Sequence, residues 1–155
     1  MDFDVASRPL RRRLLATCAV ALAALWLPLR AIAADRNTFA FDAKAMSDAL
    51  RSIGAADAVE SDQVVIKAPD IAENSAIVHI EVESKLPGTQ SIWVFAEKNP
   101  QPLVAQFDLL PGIDPFVAVR IKMAESAFVR AVVKADGKFW FAQKETKVTL
   151  GGCAG

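Results

Sequence analysis

Residues 78–83 read Val-His-Ile-Glu-Val-Glu, and this alternation of apolar and polar residues decides the fold class. Because successive side chains of a β-strand point to opposite faces, Val78, Ile80 and Val82 are expected to share one buried face. The same period of two recurs in residues 117–123. Strands with one apolar and one polar face are typical of an antiparallel sheet that packs on a core and faces water on its other side.

Segments of this kind follow one another from residue 63 onward, each rich in Val, Ile, Phe or Trp and bounded by turn residues. Seven short segments at nearly even spacing are typical of a two-layer β-sandwich, and the last is long enough to be broken in two. The predicted strands are Gln63–Ala68, Ala76–Glu83, Ser91–Glu97, Leu103–Leu109, Phe116–Met123, Phe128–Lys134 and Lys138–Leu150. The sequence therefore predicts an all-β, antiparallel β-sandwich.

Local signals add one helix and one tight turn to this outline. Asp42 lies where the N-cap of a helix is expected, and Gly54 lies where that helix should stop. Four apolar residues recur between them at helical spacing: Met46, Ala49, Leu50 and Ile53. The pair Asp136-Gly137 predicts a two-residue hairpin near the C-terminal end.

The first 33 residues have the three parts of a cleavable secretory signal. Residues 1–13 are basic, Leu14–Leu29 is apolar, and Ala31–Ala33 forms a small-x-small cleavage site. The alternative is a membrane anchor, but the apolar run is shorter than the ~20 residues that a helix needs to cross a bilayer. The predicted segments are the signal 1–33, the domain 34–150 and a C-terminal arm 151–155.

The arginines in this signal indicate the export route. Arg11–Leu15 reads Arg-Arg-Arg-Leu-Leu and resembles the twin-arginine pattern of two arginines, any residue and two apolar residues. Because that route exports proteins that are already folded, a partner without its own signal could cross in complex with this chain. The expected location is the periplasm, with no membrane association after cleavage.

Composition excludes several classes of function. Removal of the signal takes away five of 18 basic and two of 18 acidic residues, which leaves a net charge of about −3 and no basic patch for nucleic acid. One histidine and one cysteine then remain, too few for a tetrahedral metal site, and no cofactor is expected. His79 lies in an alternating strand and is interpreted as a surface or loop-packed residue rather than a catalytic base. Since no catalytic motif is recognisable, a non-enzymatic scaffold is expected.

The chain ends Thr-Leu-Gly-Gly-Cys-Ala-Gly at residues 149–155. Glycines beside a cysteine are costly to order, because glycine samples more backbone conformations than other residues. They suit a thiol that must follow a narrow path into another protein, and five extended residues reach ~16 Å. The predicted swinging arm consists of Gly151, Gly152, Ala154 and Gly155 around the reactive Cys153.

Other interpretations of Cys153 stay open. A thiol with an ordinary pKa of about 8.5 is little ionised at neutral pH, so partner enzymes are expected to activate it. The thiol could instead form a lasting intermolecular disulfide that tethers an exported interaction module, or could be a frayed end without a role. Prenylation is excluded, because its motif places the cysteine fourth from the end and Cys153 is third.

Four features of the predicted domain occur together and form a specific combination. They are the short N-terminal helix, Ala68–Asn74, Glu97–Pro100 with Pro102, and the ending Val148–Cys153. Together with the twin-arginine leader, they resemble the SoxY family, the sulfur-carrying subunits of bacterial thiosulfate-oxidising (Sox) systems. The resemblance extends along nearly the whole predicted domain.

This resemblance implies an immunoglobulin-like sandwich that forms a heterodimer with a SoxZ-like subunit and carries thiosulfate-derived sulfur covalently on Cys153. A SoxAX-type haem cytochrome would join thiosulfate oxidatively to the cysteine, a SoxB-type hydrolase would release sulfate, and a sulfane dehydrogenase would oxidise the remaining persulfide. The SoxZ-like subunit is expected to cover part of the Trp93 and Phe95 side of the third strand. The likeness to immunoglobulins is architectural, since the chain has no tyrosine and retains one cysteine after cleavage.

Three residues depart from the pattern of the family. Ala154 follows the cysteine where glycine is usual, and its methyl group could hinder close approach of the backbone to a partner. Ser75 follows Asn74 where glycine is usual, so the turn there is expected to differ. His79 stands near a place where proline is common, so the start of its strand is also expected to differ.

Overall fold

The computed structural model describes residues 37–149, which fold into two short helices and nine strands. The helices are α1 (Thr38–Asp42) and α2 (Met46–Ser52). The strands are β1 (Val59–Glu60), β2 (Val64–Lys67), β3 (Ile71–Ala72), β4 (Val78–Ser84), β5 (Thr89–Ala96), β6 (Leu103–Asp108), β7 (Phe116–Ile121), β8 (Ala127–Ala135) and β9 (Lys138–Val148). In this described part, neither helix is long and apolar enough to cross a membrane.

The strands form two sheets, which confirms the predicted sandwich. The larger sheet has the order β1-β9-β8-β5-β6, with β3 also paired to β9, and the smaller sheet has the order β2-β4-β7. All seven predicted strands are present with ends within two residues of those expected, they pair antiparallel with one another, and the last one is unbroken. The two-residue strands β1 and β3, which were not predicted, pair with β9 in parallel.

The main core lies between the two sheets and follows the alternation in the sequence. In β4, Val78, Ile80 and Val82 are buried, whereas His79 on the opposite face is exposed. The facing layer is supplied by the inner side of β5 and β8, including the fully buried Val133. Burial of these aliphatic side chains removes apolar surface from water and holds the sheets together.

A second apolar cluster lies on the outer side of the larger sheet and corrects one prediction. Trp93 and Phe95 were expected to face a SoxZ-like subunit, but they are 6% and 0% exposed because α1 and α2 cover them. The small residues Ala40 and Ala49 let the two helices approach the sheet closely. Apolar residues on both faces of β5 correctly indicate burial on both sides, but they do not reveal what provides the cover.

The start of the helical region differs from the prediction as well. Asp42, the expected N-cap, is the last residue of α1, and α2 begins after Ala45 without any side-chain cap. The cap is made earlier, where the Asn37 side chain accepts a hydrogen bond of 3.1 Å from the Ala40 N–H. Gly54 follows α2 with φ +78°, a conformation that favours glycine, so the predicted stop is confirmed.

Candidate functional site

The structure describes β9 up to the start of the predicted arm. β9 ends at Val148, and Thr149 is the last described residue. The predicted attachment residue and arm lie outside the described residues, and they stay predictions: Cys153 with Gly151, Gly152, Ala154 and Gly155. What the structure establishes is the base from which this segment leaves the domain.

One side of this base is a strap formed by residues 70–72. The Lys147 N–H donates a hydrogen bond of 2.9 Å to the Asp70 carbonyl, and the Thr149 N–H donates one of 3.0 Å to the Ala72 carbonyl. These bonds continue the parallel pairing of β3 with the end of β9. The strap therefore holds the chain through Thr149, two residues before the predicted arm begins.

The other side of the base is the turn between β7 and β8. The Val148 N–H donates a hydrogen bond of 2.9 Å to Ser126 Oγ, beyond the last residues of the β8–β9 ladder. Since the strap binds the opposite edge of β9, the end of the strand is held from both sides. The backbone is therefore hydrogen-bonded on both edges at the end of β9.

A lysine fixes the strap on the sandwich. Lys144 Nζ donates a hydrogen bond of 2.7 Å to the Ala68 carbonyl and lies 3.0 Å from Asp70 Oδ1. The Lys144 side chain is 37% exposed and that of Asp70 is 87% exposed, so solvent screens the ion pair and the hydrogen bond contributes most. Ala68–Asn74, which the sequence singled out, thus lies beside the arm base.

The second segment singled out by the sequence, Glu97–Pro100, lies at the same end of the sandwich. Asn99 Nδ2 donates a hydrogen bond of 2.7 Å to the Lys122 carbonyl, and Asn99 Oδ1 accepts one of 2.8 Å from the Ala124 N–H. One amide side chain therefore joins the β5–β6 loop to the β7–β8 turn. The same turn holds β9 through Ser126, so the two segments belong to one structure around the arm base.

The charges at this end are mixed. Lys98 and Glu125 form an exposed ion pair of 3.8 Å. A cleft of about 580 Å³ opens between β6 and β7, with Asp42 on one wall and Arg120 and Lys122 on the other. Within residues 37–149, neither of these two cations has an ion-pair partner. This end of the described domain therefore carries exposed charges of both signs.

Two of the three residues that depart from the family pattern, His79 and Ser75, lie in the described domain, whereas Ala154 lies outside the described residues. His79 is exposed on β4 opposite Arg120, as a surface residue should be. Ser75 has no positive φ, so glycine is not required at this turn. Asn74 shapes the turn instead, because its Oδ1 accepts a hydrogen bond of 2.9 Å from the Ala76 N–H. In the described part of the chain, no group of three or more His, Cys, Asp or Glu side chains could hold a metal ion.

Comparison with known proteins now identifies the family. The family model for sulfur oxidation protein SoxY matches residues 50–153. The chain belongs to the SoxY family. The solved sulfur carrier protein SoxY from Chlorobium limicola f thiosulfatophilum is 40% identical, with a TM-score of 0.63, and the match covers 70% of this chain and 96% of that one. No curated protein sequence matches significantly.

A more distant likeness concerns the fold alone. A superoxide reductase (neelaredoxin) from Ignicoccus hospitalis is 21% identical, with a TM-score of 0.50, over 56% of this chain and 80% of that one. At this identity the sandwich is shared but function does not follow. SoxY membership, by contrast, gives the chain a carrier role in sulfur oxidation and an association with the Sox system.

Sequence reasoning missed how the SoxY segments act together. It singled out Ala68–Asn74 and Glu97–Pro100 by resemblance but assigned them no contact with the end of β9. The pairing of β3 with β9 spans more than 70 residues of sequence and has no local signal. The Asn99 contacts had one usable hint, since an asparagine before a proline in a loop often fixes backbone through its side chain.

Proposed function

We propose that this chain is a periplasmic sulfur carrier that holds thiosulfate-derived intermediates covalently on Cys153 and presents them to partner enzymes. The observation that supports it most directly is the base of the arm, where hydrogen bonds on both edges of β9 hold the backbone through Thr149. The Gly-Gly-Cys sequence begins two residues later. A firmly held strand followed by a glycine-flanked thiol suits delivery of a reactive group over a short distance.

The proposed chemistry needs one sulfur atom from this chain. The Cys153 thiolate and thiosulfate lose two electrons to a haem cytochrome and form the disulfide-linked S-thiosulfonate Cys–S–S–SO₃⁻. A hydrolase then adds water, which releases sulfate and two protons and leaves the persulfide Cys–S–S⁻. Further oxidation of the persulfide is assigned to a sulfane dehydrogenase. In this scheme the partner enzymes supply the oxidant and activate the water. The carrier supplies one sulfur atom and brings it into the active sites of those enzymes.

Export and assembly belong to the same proposal. Residues 1–33 would direct the folded chain through the twin-arginine route together with a SoxZ-like subunit that lacks its own signal. The outer side of β5 is covered by α1 and α2, so the SoxZ-like subunit must bind elsewhere. Replacing both Arg11 and Arg12 with lysine should block export, which cell fractionation measures. Unchanged export of that variant would contradict the twin-arginine assignment.

Mass spectrometry tests the carrier role itself. Protein purified from cells supplied with thiosulfate should carry sulfur or sulfonate adducts on its C-terminal peptide, and a reductant should remove them. The Cys153→Ser variant should carry none, because an alcohol does not form the disulfide bond. The competing function is an exported module tethered by a lasting disulfide. Unmodified thiol together with a stable covalent dimer, and no adduct in any sample, would favour the tether.

A further inference from the structure

An exposed surface with two large apolar side chains lies beside the arm base. Ile71 of β3 is 59% exposed, and Phe128 of β8 is 41% exposed. Ile71 pairs with Lys147 on one edge of β9, and on the other edge Phe128 pairs with Glu145. Directly paired residues point to the same face of a sheet, so these four side chains form one surface. We call it the patch.

The patch lies on the outer face of the larger sheet, beyond the part that the helices cover. Phe141 of β9 and Val132 of β8 belong to the apolar cluster beneath α1 and α2. Since side chains alternate along a strand, Lys147 shares the face of Phe141, and Phe128 shares the face of Val132. Arg130 marks the boundary, because its guanidinium group lies 4.5 Å from the centre of the Phe141 ring. From there to the arm base, the side chains of this face on β3, β8 and β9 are exposed.

Apolar side chains stand out on this part of the face. A sheet face that meets water usually carries polar residues, and Gln143, Glu145 and Lys147 on β9 follow that rule. Glu97 adds a charge at the far side, where its N–H donates a hydrogen bond of 3.1 Å to the Phe128 carbonyl. Single exposed apolar residues are common, but apolar surface rimmed by charged side chains is typical of a contact with another protein.

The length of the predicted arm places its users on this part of the domain. The Thr149 N–H is bonded to the Ala72 carbonyl, and the Cys153 thiol reaches about 13 Å from Thr149. By strand spacing, the Cα atoms of Ile71 and Phe128 lie about 8 Å and about 14 Å from that of Thr149. An interface of standard size covers about 800 Å² of each partner, a disc of about 16 Å radius. A disc centred on the arm base therefore includes the patch.

We propose that the patch is the docking surface for enzymes that act on the sulfur group carried by Cys153. This inference rests on the proposed carrier function. Ile71 and Phe128 pack against an apolar rim around the mouth of the enzyme's active site, and Glu145 and Lys147 between them meet charges of opposite sign. The arm alone enters the active site. Contact at the patch therefore sets how tightly the carrier is held, but not the rate of the chemical step.

The chain offers two isoleucines of similar exposure as matched controls. Ile77, 58% exposed, directly precedes β4 of the smaller sheet. Ile113, 55% exposed, lies in the β6–β7 loop at the opposite end of the domain, because β6 runs away from the Asn99 loop. The first control has the right end but the other sheet, and the second has the wrong end.

Kinetics with a loaded carrier test the docking surface. Residues 34–155, in complex with the SoxZ-like subunit, are treated with tetrathionate. The Cys153 thiolate then forms Cys–S–S–SO₃⁻ and releases thiosulfate, and mass spectrometry verifies the adduct. The sulfate-releasing hydrolase of the proposed scheme is assayed against carrier concentration. Ile71→Thr and Phe128→Thr should each raise KM about fivefold and leave kcat unchanged.

The control variants keep this result specific to the patch. Ile113→Thr and Ile77→Thr should each change KM by less than about twofold. Threonine suits all four sites because it is β-branched and therefore compatible with strands. Urea unfolding checks that Phe128→Thr remains folded. Ile71→Thr alters a largely exposed side chain of a two-residue strand and keeps the test decisive.

Four results would overturn the proposal. If the loaded unmodified carrier is turned over but KM is unchanged in Ile71→Thr and Phe128→Thr, the docking surface is wrong and the carrier function stands. If the loaded unmodified carrier is not turned over at all, the carrier function fails and the docking surface falls with it. An equal rise in KM for Ile77→Thr would remove the assignment to this face. Loss of the SoxZ-like subunit, or of a dimer of this chain, from Ile71→Thr in sedimentation would assign the patch to that interface instead.

Discussion

Replacement of Asn99 tests whether one side chain stabilises the end of the domain that carries the arm. The Asn99→Ala variant loses both hydrogen bonds that join the β5–β6 loop to the β7–β8 turn. A hydrogen bond contributes about 0.5–1.5 kcal/mol net, and these two are solvent-exposed, so the expected loss is about 1–2 kcal/mol. For a domain of this size, that loss lowers the thermal midpoint by about 4–10 °C.

The assay is urea unfolding followed by tryptophan fluorescence, in the Cys153→Ser background so that no disulfide forms. Asn99→Asp is the informative second variant. It keeps an acceptor for the Ala124 N–H but places a carboxylate oxygen against the Lys122 carbonyl, so it should lose at least as much stability as Asn99→Ala. The control is Gln101→Ala, an exposed residue of the same loop, which should change the free energy of unfolding by less than about 0.5 kcal/mol.

Two results would contradict the predicted role of Asn99. If Asn99→Ala unfolds at the same urea concentration as the unmodified protein, the two hydrogen bonds contribute nothing. If Asn99→Asp is more stable than Asn99→Ala, the assignment of the amide nitrogen to the Lys122 carbonyl is wrong. In the first case the two loops would not form one structure around the arm base. An unchanged m-value across the series would show that the variants alter stability rather than the extent of unfolding.

Two further predictions concern the backbone. Gly88→Ala should destabilise the domain by about 1–3 kcal/mol more than Gly112→Ala in urea unfolding. Both glycines have positive φ, but only at Gly88 would a Cβ collide with the Asp136 carboxylate. Equal losses in the two variants would mean that the Asp136 side chain moves aside. Ser126→Ala should speed hydrogen exchange of the Val148 amide about fivefold or more, since it removes the acceptor of that N–H. Unchanged exchange there would show that Ser126 does not protect the base of the arm.

The elements that sequence predicts best are those whose signal is periodic. The alternation in residues 78–83 and 117–123 gives the correct strands and the correct buried faces, because one side of each strand packs on the core. β1 and β3 have two residues each, too few for any period to be detected. Asp42 was misassigned because a helix cap is recognised by local residue type, and Asn37, five residues earlier, is an equally good cap.

The candidate site also has a part that the sequence predicts and a part that required the structure. The reactive role of Cys153 was inferred from its glycine neighbours and from the resemblance, and it lies outside the described residues. The base of the arm required the structure, since the pairing of Ala72 with Val148 joins distant parts of the sequence. The structure was also needed to show that the helices α1 and α2 cover Trp93. An apolar outer face predicts burial equally well by a partner subunit or by the chain's own helices.

The hydrogen bonds that end at Thr149 also set a length scale for sulfur transfer. Cys153 is the fourth residue after Thr149, so the thiol of the proposed carrier could reach about 13 Å from a fixed point. Within a hemisphere of that radius, one thiol corresponds to an effective concentration of about 0.4 M for an enzyme docked at this end. An enzyme with only millimolar affinity for the bare cysteine would then be nearly saturated. Such enzymes could recognise the carrier through its folded surface and still release the cysteine-bound sulfur group rapidly.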